Sequence, residues 1–156
     1  MFVDIIDGVT GWFHFVTSLL AIVTGTIVIL NTKGTRFHKR VGYVYVFSMV
    51  SLNTSAFFIV NFGGLSIFHF FAIVSLLTVL GGMIAAWRRK KNWFTAHFYF
   101  MSWSVVGLYA ALWSEIGTRF VKNLQDFWWM VAIATLITVG LGARIINKQA
   151  KKLKLK

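Results

Sequence analysis

Five apolar stretches, each about the length of a bilayer crossing, constrain this chain more than any other feature. They run roughly Val9–Leu30, Val41–Phe62, Leu65–Trp87, Phe98–Ile116 and Phe127–Ile146. A helix rising about 1.5 Å per residue needs about twenty such residues to cross roughly 30 Å of hydrocarbon. Together they take up most of the 156 residues and leave no room for a separate soluble domain. Only 13% of residues are charged, about half the share of an ordinary soluble domain. The expected fold class is all-α: a polytopic membrane protein of five transmembrane helices with a four-helix bundle core. The transmembrane domain covers residues 1–147, and 148–156 form a basic tail.

The charges alternate with the stretches. Lys33, Arg36, Lys39 and Arg40 fill the first connection, and Arg88, Arg89, Lys90 and Lys91 the third. Arg144, Lys148, Lys151, Lys152, Lys154 and Lys156 close the chain, which puts fourteen of the sixteen basic residues on one side. Arg119 and Lys122 fall opposite, together with all four acids, Asp4, Asp7, Glu115 and Asp126. The positive-inside rule then expects the N-terminus outside and the C-terminus in the cytoplasm. The net charge of +12 flanks membrane segments, so it does not point to nucleic acid. The tail could hold anionic lipid at roughly 1 kcal/mol per basic residue. The first stretch is too long, and too acidic before it, for a cleaved signal, so a retained span is expected.

Cysteine and proline are absent. Disulfides, haem attached through C-x-x-C-H and cysteine-held iron–sulfur clusters are excluded. No span should carry a proline kink or a proline-broken half-helix.

The four histidines each sit near one end of a different stretch, and an ionisable group at membrane depth is a functional hypothesis by default. Around His14 the helical periodicity gathers Asp7, Thr10, Gly11, Thr17, Ser18, Ala21 and Gly25, small or weakly polar residues that suit helix contacts or cavity walls. His38 shares a stripe with Gly42, Tyr45, Met49 and Ala56, and His97 with Met101, Ser104, Leu108, Ala111 and Glu115. Around His69 lie Ser66, Ala72, Ile73 and Leu76. By helical rise, His14, His69 and Glu115 stand about 24–27 Å above the cytoplasmic ends of their helices, and Asn53 about 18 Å. His38 and His97 belong near the cytoplasmic boundary. The fifth stretch reads as a packing helix, with Trp128 and Trp129 in an interfacial belt.

Alternating threading would therefore pair His14 with His69 at one level and His38 with His97 at the other. Facing helices of a bundle bind cofactors in this way, and each pair could hold one haem b, two in all. Lys39, Arg40 and Arg119 could neutralise propionates, while Asn53, Glu115 and Arg119 tune the outer site. The pattern is similar to that of the ascorbate-reducing b cytochromes of the 561 type, where alternate helices supply the ligands. It implies transmembrane electron transfer and a possible oxidoreductase.

Two other readings stand beside it. His14, His69 and Glu115 form a two-histidine, one-carboxylate set suited to zinc or iron. Alternatively the histidines only hydrogen-bond within a cofactor-free protein that binds a partner or lipid. Gly63-Gly64 and Gly81-Gly82 form no phosphate loop. No nicotinamide or flavin domain is evident, so an electron donor would be a quinol, a small reductant or a separate redox protein.

The run Lys33-Gly34-Thr35-Arg36-Phe37-His38-Lys39-Arg40-Val41-Gly42-Tyr43-Val44-Tyr45 resembles a signature, K-G-x-x-x-H-R/K-x-x-G-x-x-Y, of a bacterial family called domain of unknown function 2306 (DUF 2306). Leu52-Asn53-Thr54-Ser55-Ala56, Phe68-His69 ahead of Val74-Ser75-Leu76, and His97-Phe98-Tyr99-Phe100-Met101-Ser102-Trp103-Ser104 extend the likeness over about residues 10–120. The resemblance implies a small multi-pass protein of the bacterial inner membrane and brings no settled activity.

Overall fold

A computed structural model describes residues 8–59, 64 and 66–155, with the backbone alone at 118 and 119. Asp4, Asp7, Phe62, Gly63, Leu65 and Lys156 lie outside the described residues. Every regular element described is a helix: α1 Val9–Leu30, α2 Arg36–Ala56, α3 Ile67–Arg88, α4 Trp93–Phe120 and α5 Leu124–Lys152.

Local hydrogen bonds, more than hydropathy, decide where these helices begin and end. α1 coincides with its apolar stretch. Lys33 closes it, Nζ donating to the carbonyls of Val28 and Ile29 at 2.9 and 2.6 Å. A cation there also suits the negative end of the helix dipole. Burial holds the Lys33 ammonium below the usual lysine range.

α2 starts well before Val41 because Thr35 Oγ1 accepts the His38 N–H at 3.0 Å and caps the first turn. It also stops short of Phe62. The N–H groups of Phe57 and Phe58 turn back to the carbonyls of Thr54 and Ser55 at 3.2 and 3.0 Å, tightening the last turn. α4 begins at Trp93, ahead of Phe98, after a tight connection in which Arg89 and Asn92 take φ of 45° and 62°. α5 runs past Ile146 to Lys152, so much of the expected basic tail is helical.

The chain divides into two compact units, Met1–Leu80 and Gly81–Lys156. In the first, α1 packs along α2. The buried line on α1 is Thr17, Ala21, Thr24, Gly25 and Val28, which includes much of the expected His14 stripe. The hydroxyls of Thr17 and Thr24 donate to carbonyls of their own helix, Phe13 at 2.8 Å and Leu20 at 2.6 Å. Polar groups so satisfied can sit in an apolar medium at little cost. On α2 the buried residues are Tyr45, Ser48, Met49, Leu52, Asn53 and Ser55.

In the second unit α4 packs on α5. The helices come so close at Gly142 that a Cβ there would fall 2.5 Å from Val106 Cγ2. Phe98, Ile146 and Ala150 form a buried cluster with Tyr99, Val106 and Leu155 against it. Trp113 Nε1 donates to Thr138 Oγ1 at 2.9 Å and adds a polar tie between the two helices.

Large apolar side chains point outward throughout: Phe47 is 71% exposed, Leu77 62% and Leu136 72%. So much exposed apolar surface suits lipid and would be a liability in water. By length and composition, α1, α3 and α5 are long and apolar enough to cross a membrane. α2 and α4 fall short of that measure, in contrast to five equal spans. α2 opens with Arg36, Lys39 and Arg40 and carries Ser48, Ser51, Asn53, Thr54 and Ser55, while α4 carries His97, Ser102 and Ser104. The chain is thus an all-α membrane protein whose less apolar helices bear much of its buried polar chemistry.

Candidate histidine site

In the first unit, His14 on α1 is half-buried and meets α2 through Ser55. The Ser55 hydroxyl donates to the Leu52 carbonyl at 2.8 Å. Its oxygen is therefore left to accept, and His14 Nδ1–H donates to it at 2.9 Å. A neutral imidazole carries one proton, so His14 Nε2 keeps a lone pair. Asn53, 5% exposed, donates through Nδ2 to the Met49 carbonyl at 2.7 Å, which ties its amide to its own helix.

His69 is used in the opposite sense. The backbone N–H of Ser66 donates to His69 Nδ1 at 3.0 Å, and Ser66 Oγ lies 3.0 Å from the same nitrogen. In return, the backbone N–H of His69 donates to the Ser66 carbonyl at 3.0 Å. A backbone N–H can only donate, so Nδ1 is unprotonated and the ring proton sits on Nε2. Among the described residues that Nε2 has no hydrogen-bond partner, although it is buried and His69 is only 6% exposed. The Phe57 ring packs on His69 with centroids 5.8 Å apart and planes tilted by 54°.

In the second unit, His97 is half-buried on the first turns of α4, and its Nδ1 donates to the Gly82 carbonyl at 2.9 Å. A carbonyl can only accept, so Nε2 again keeps the lone pair. The contact depends on close approach. A Cβ on Gly82 would lie 2.7 Å from Met101 Sδ and 3.2 Å from Phe100 Cβ. Following His97 along α4, Met101, Ser104 and Leu108 are buried as expected, but Ala111 is exposed and Glu115 half-buried. The expected stripe is therefore interrupted at Ala111. The Arg119 side chain lies outside the described residues. On α2, His38 is half-buried, with Lys39 and Arg40 exposed beside it in sequence.

The zinc-or-iron set of His14, His69 and Glu115 gains no support. Among the described residues, no group of three or more His, Cys, Asp or Glu side chains is placed to hold a metal ion. In addition, His69 Nδ1 is already occupied by Ser66.

Sequence reasoning set Ser66 beside His69 without giving it a role, and missed Ser55 and Gly82 as partners. Ser55 follows Ser48 by two helical turns on the buried Tyr45 side of α2, a spacing that could have flagged it. Ser66 stands three residues before His69, a usual distance for a helix-start contact. The Gly82 carbonyl is a backbone group and has no side-chain signature.

Helices with apolar outer faces and buried, internally bonded polar groups define a small all-helical membrane protein. The chain belongs to the family described as "Predicted membrane protein (DUF2306)", which matches residues 11–147. No curated protein and no solved structure matches it.

Proposed function

We propose that the chain is a membrane electron carrier of b-type cytochrome character, holding haem b through imidazole Nε2 atoms. The observation that supports this most is the His97 ring, whose Nδ1–H is anchored on the Gly82 carbonyl. Metal-ligating histidines use such a bond to fix tautomer and ring direction. His14, anchored on Ser55, is prepared in the same way. His38 joins them as a ligand by its place in the sequence. His69 does not fit, because a protonated Nε2 has no lone pair for iron, so the symmetrical outer pair of His14 and His69 is set aside. Haem, when bound, would supply one-electron chemistry. This chain's own residues would orient the imidazoles, and Lys39 and Arg40 would offer positive charge to carboxylates. The multi-pass inner-membrane topology with an outside N-terminus, and a quinol, small reductant or redox protein as electron partner, belong to the same proposal.

The test is an absorption spectrum of detergent-purified protein supplied with haem, together with its iron content. A Soret band that sharpens on dithionite reduction is expected. It should be lost or shifted in His97→Ala and kept in His69→Ala. A preparation that stays colourless with haem in excess defeats the proposal.

A further inference from the structure

We infer that His69 is a ligand-binding residue whose Nε2–H donates a hydrogen bond to the carbonyl oxygen of a neutral, membrane-soluble molecule. The site lies at the first turn of α3, against the Phe57 ring. Three observations converge on it. The Ser66 N–H on Nδ1 assigns the ring proton to Nε2, and that buried donor has no partner among the described residues. A buried donor in an apolar setting is costly unless an acceptor meets it. Ser66, the nearby hydroxyl, is already turned to the other ring nitrogen.

The chemistry of the acceptor follows from the surroundings. Residues 41–80 contain no Lys, Arg, Asp or Glu, so no nearby side chain in that span would balance the charge of an anionic ligand. The large side chains around the start of α3 face outward: Phe58 is 72% exposed, Phe70 58% and Phe71 57%. Entry is therefore from the hydrocarbon, which favours a lipophilic carbonyl compound over a water-soluble one. Phe57, packed on the His69 ring and itself 37% exposed, is the side chain that would yield to admit it, and its ring offers a flat apolar wall. A quinone carbonyl and the ester carbonyl of a phospholipid both have this chemistry. The inference is independent of iron ligation, since it concerns the one histidine left out of that role.

The experiment uses the full chain, labelled with 15N-histidine, in phosphatidylcholine nanodiscs. The wild-type spectrum should show a neutral His69 ring protonated at Nε2, assigned by its absence in His69→Phe. A short-chain ubiquinone is then titrated in, read by the Nε2 resonance and by quenching of tryptophan fluorescence. If the ligand is a quinone, Nε2 shifts on addition and His69→Phe binds about tenfold more weakly, while Leu136→Ala, an outward-facing change on α5, binds as wild type. If it is a lipid ester, the quinone has no effect, but exchanging ester-linked for ether-linked phosphatidylcholine moves the Nε2 resonance. An Nδ1-protonated ring, or an Nε2 resonance indifferent to both exchanges, overturns the inference. Where His69→Phe does not fold, the resonance is assigned by elimination from His14→Gln, His38→Gln and His97→Gln, and the wild-type titration then decides.

Discussion

His69 and His97 stand near the starts of successive helices, yet their rings do opposite things. At the start of α3, Nδ1 accepts from a backbone N–H of the residue three before it. Near the start of α4, Nδ1 donates to a carbonyl fifteen residues earlier in the chain. A free N–H at a helix start forces the ring proton outward, whereas a carbonyl from the preceding helix draws it inward. The same residue type thus presents a buried N–H at Nε2 in one place and an Nε2 lone pair in the other. The atom facing Nδ1 separates the two cases.

The largest effect that could break this contrast is on cofactor content. His97→Ala should abolish or shift the haem spectrum, and His69→Ala should leave it intact, as measured by reduced-minus-oxidised difference spectra. Equal losses would mean that both rings ligate. Next comes packing at Gly82. Gly82→Val drives a side chain into Met101 and displaces the carbonyl that holds His97. Overpacking of this kind costs about 1–3 kcal/mol, seen as a lower midpoint in thermal unfolding in detergent.

A finer comparison sets Ser55→Ala against Ser66→Ala. The first removes the acceptor for His14 Nδ1–H and should cost about 1 kcal/mol. The second should cost less, because the Ser66 backbone N–H still reaches His69 Nδ1. Chemical denaturation of the two variants side by side reads the difference, and equal costs would undo the ring assignment at His69. The smallest effect lies at Lys33, away from both rings. Its pKa is lowered from 10.5 by burial, so the unfolded chain binds its proton more tightly than the folded one. Stability should therefore rise slightly as pH climbs toward 10.5, and Lys33→Met should flatten that slope in a pH series of melting midpoints.

Much of the helical layout was legible because apolar length and helix length largely coincide; α1 runs from Val9 to Leu30 on either reading. The start of α2 was not legible from hydropathy. Thr35 begins that helix with a hydroxyl, and the first turn behind it is basic. The buried side of α1 and the central stripe of α2 followed from periodicity, because small and weakly polar residues stand out against Phe, Leu and Val. The histidines were visible as unusual residues near the ends of apolar stretches. Their protonation was not, because it depends on a serine hydroxyl, a backbone N–H and a backbone carbonyl contributed from elsewhere. Ala111 misled for a related reason. Eighteen residues of regular spacing imply a continuous buried stripe, but Ala111 is exposed between buried Leu108 and half-buried Glu115.

The closing turns of α5 have a practical consequence. Leu155 packs against the cluster of Phe98, Ile146 and Ala150, and its N–H bonds to the Ala150 carbonyl at 3.0 Å. Any sequence fused after this point departs from a moored stub and not from a loose tether. A reporter or affinity handle joined there without a spacer would be held tight against the second unit. A protease would cut such a junction slowly, and a glycine-serine spacer should restore the rate.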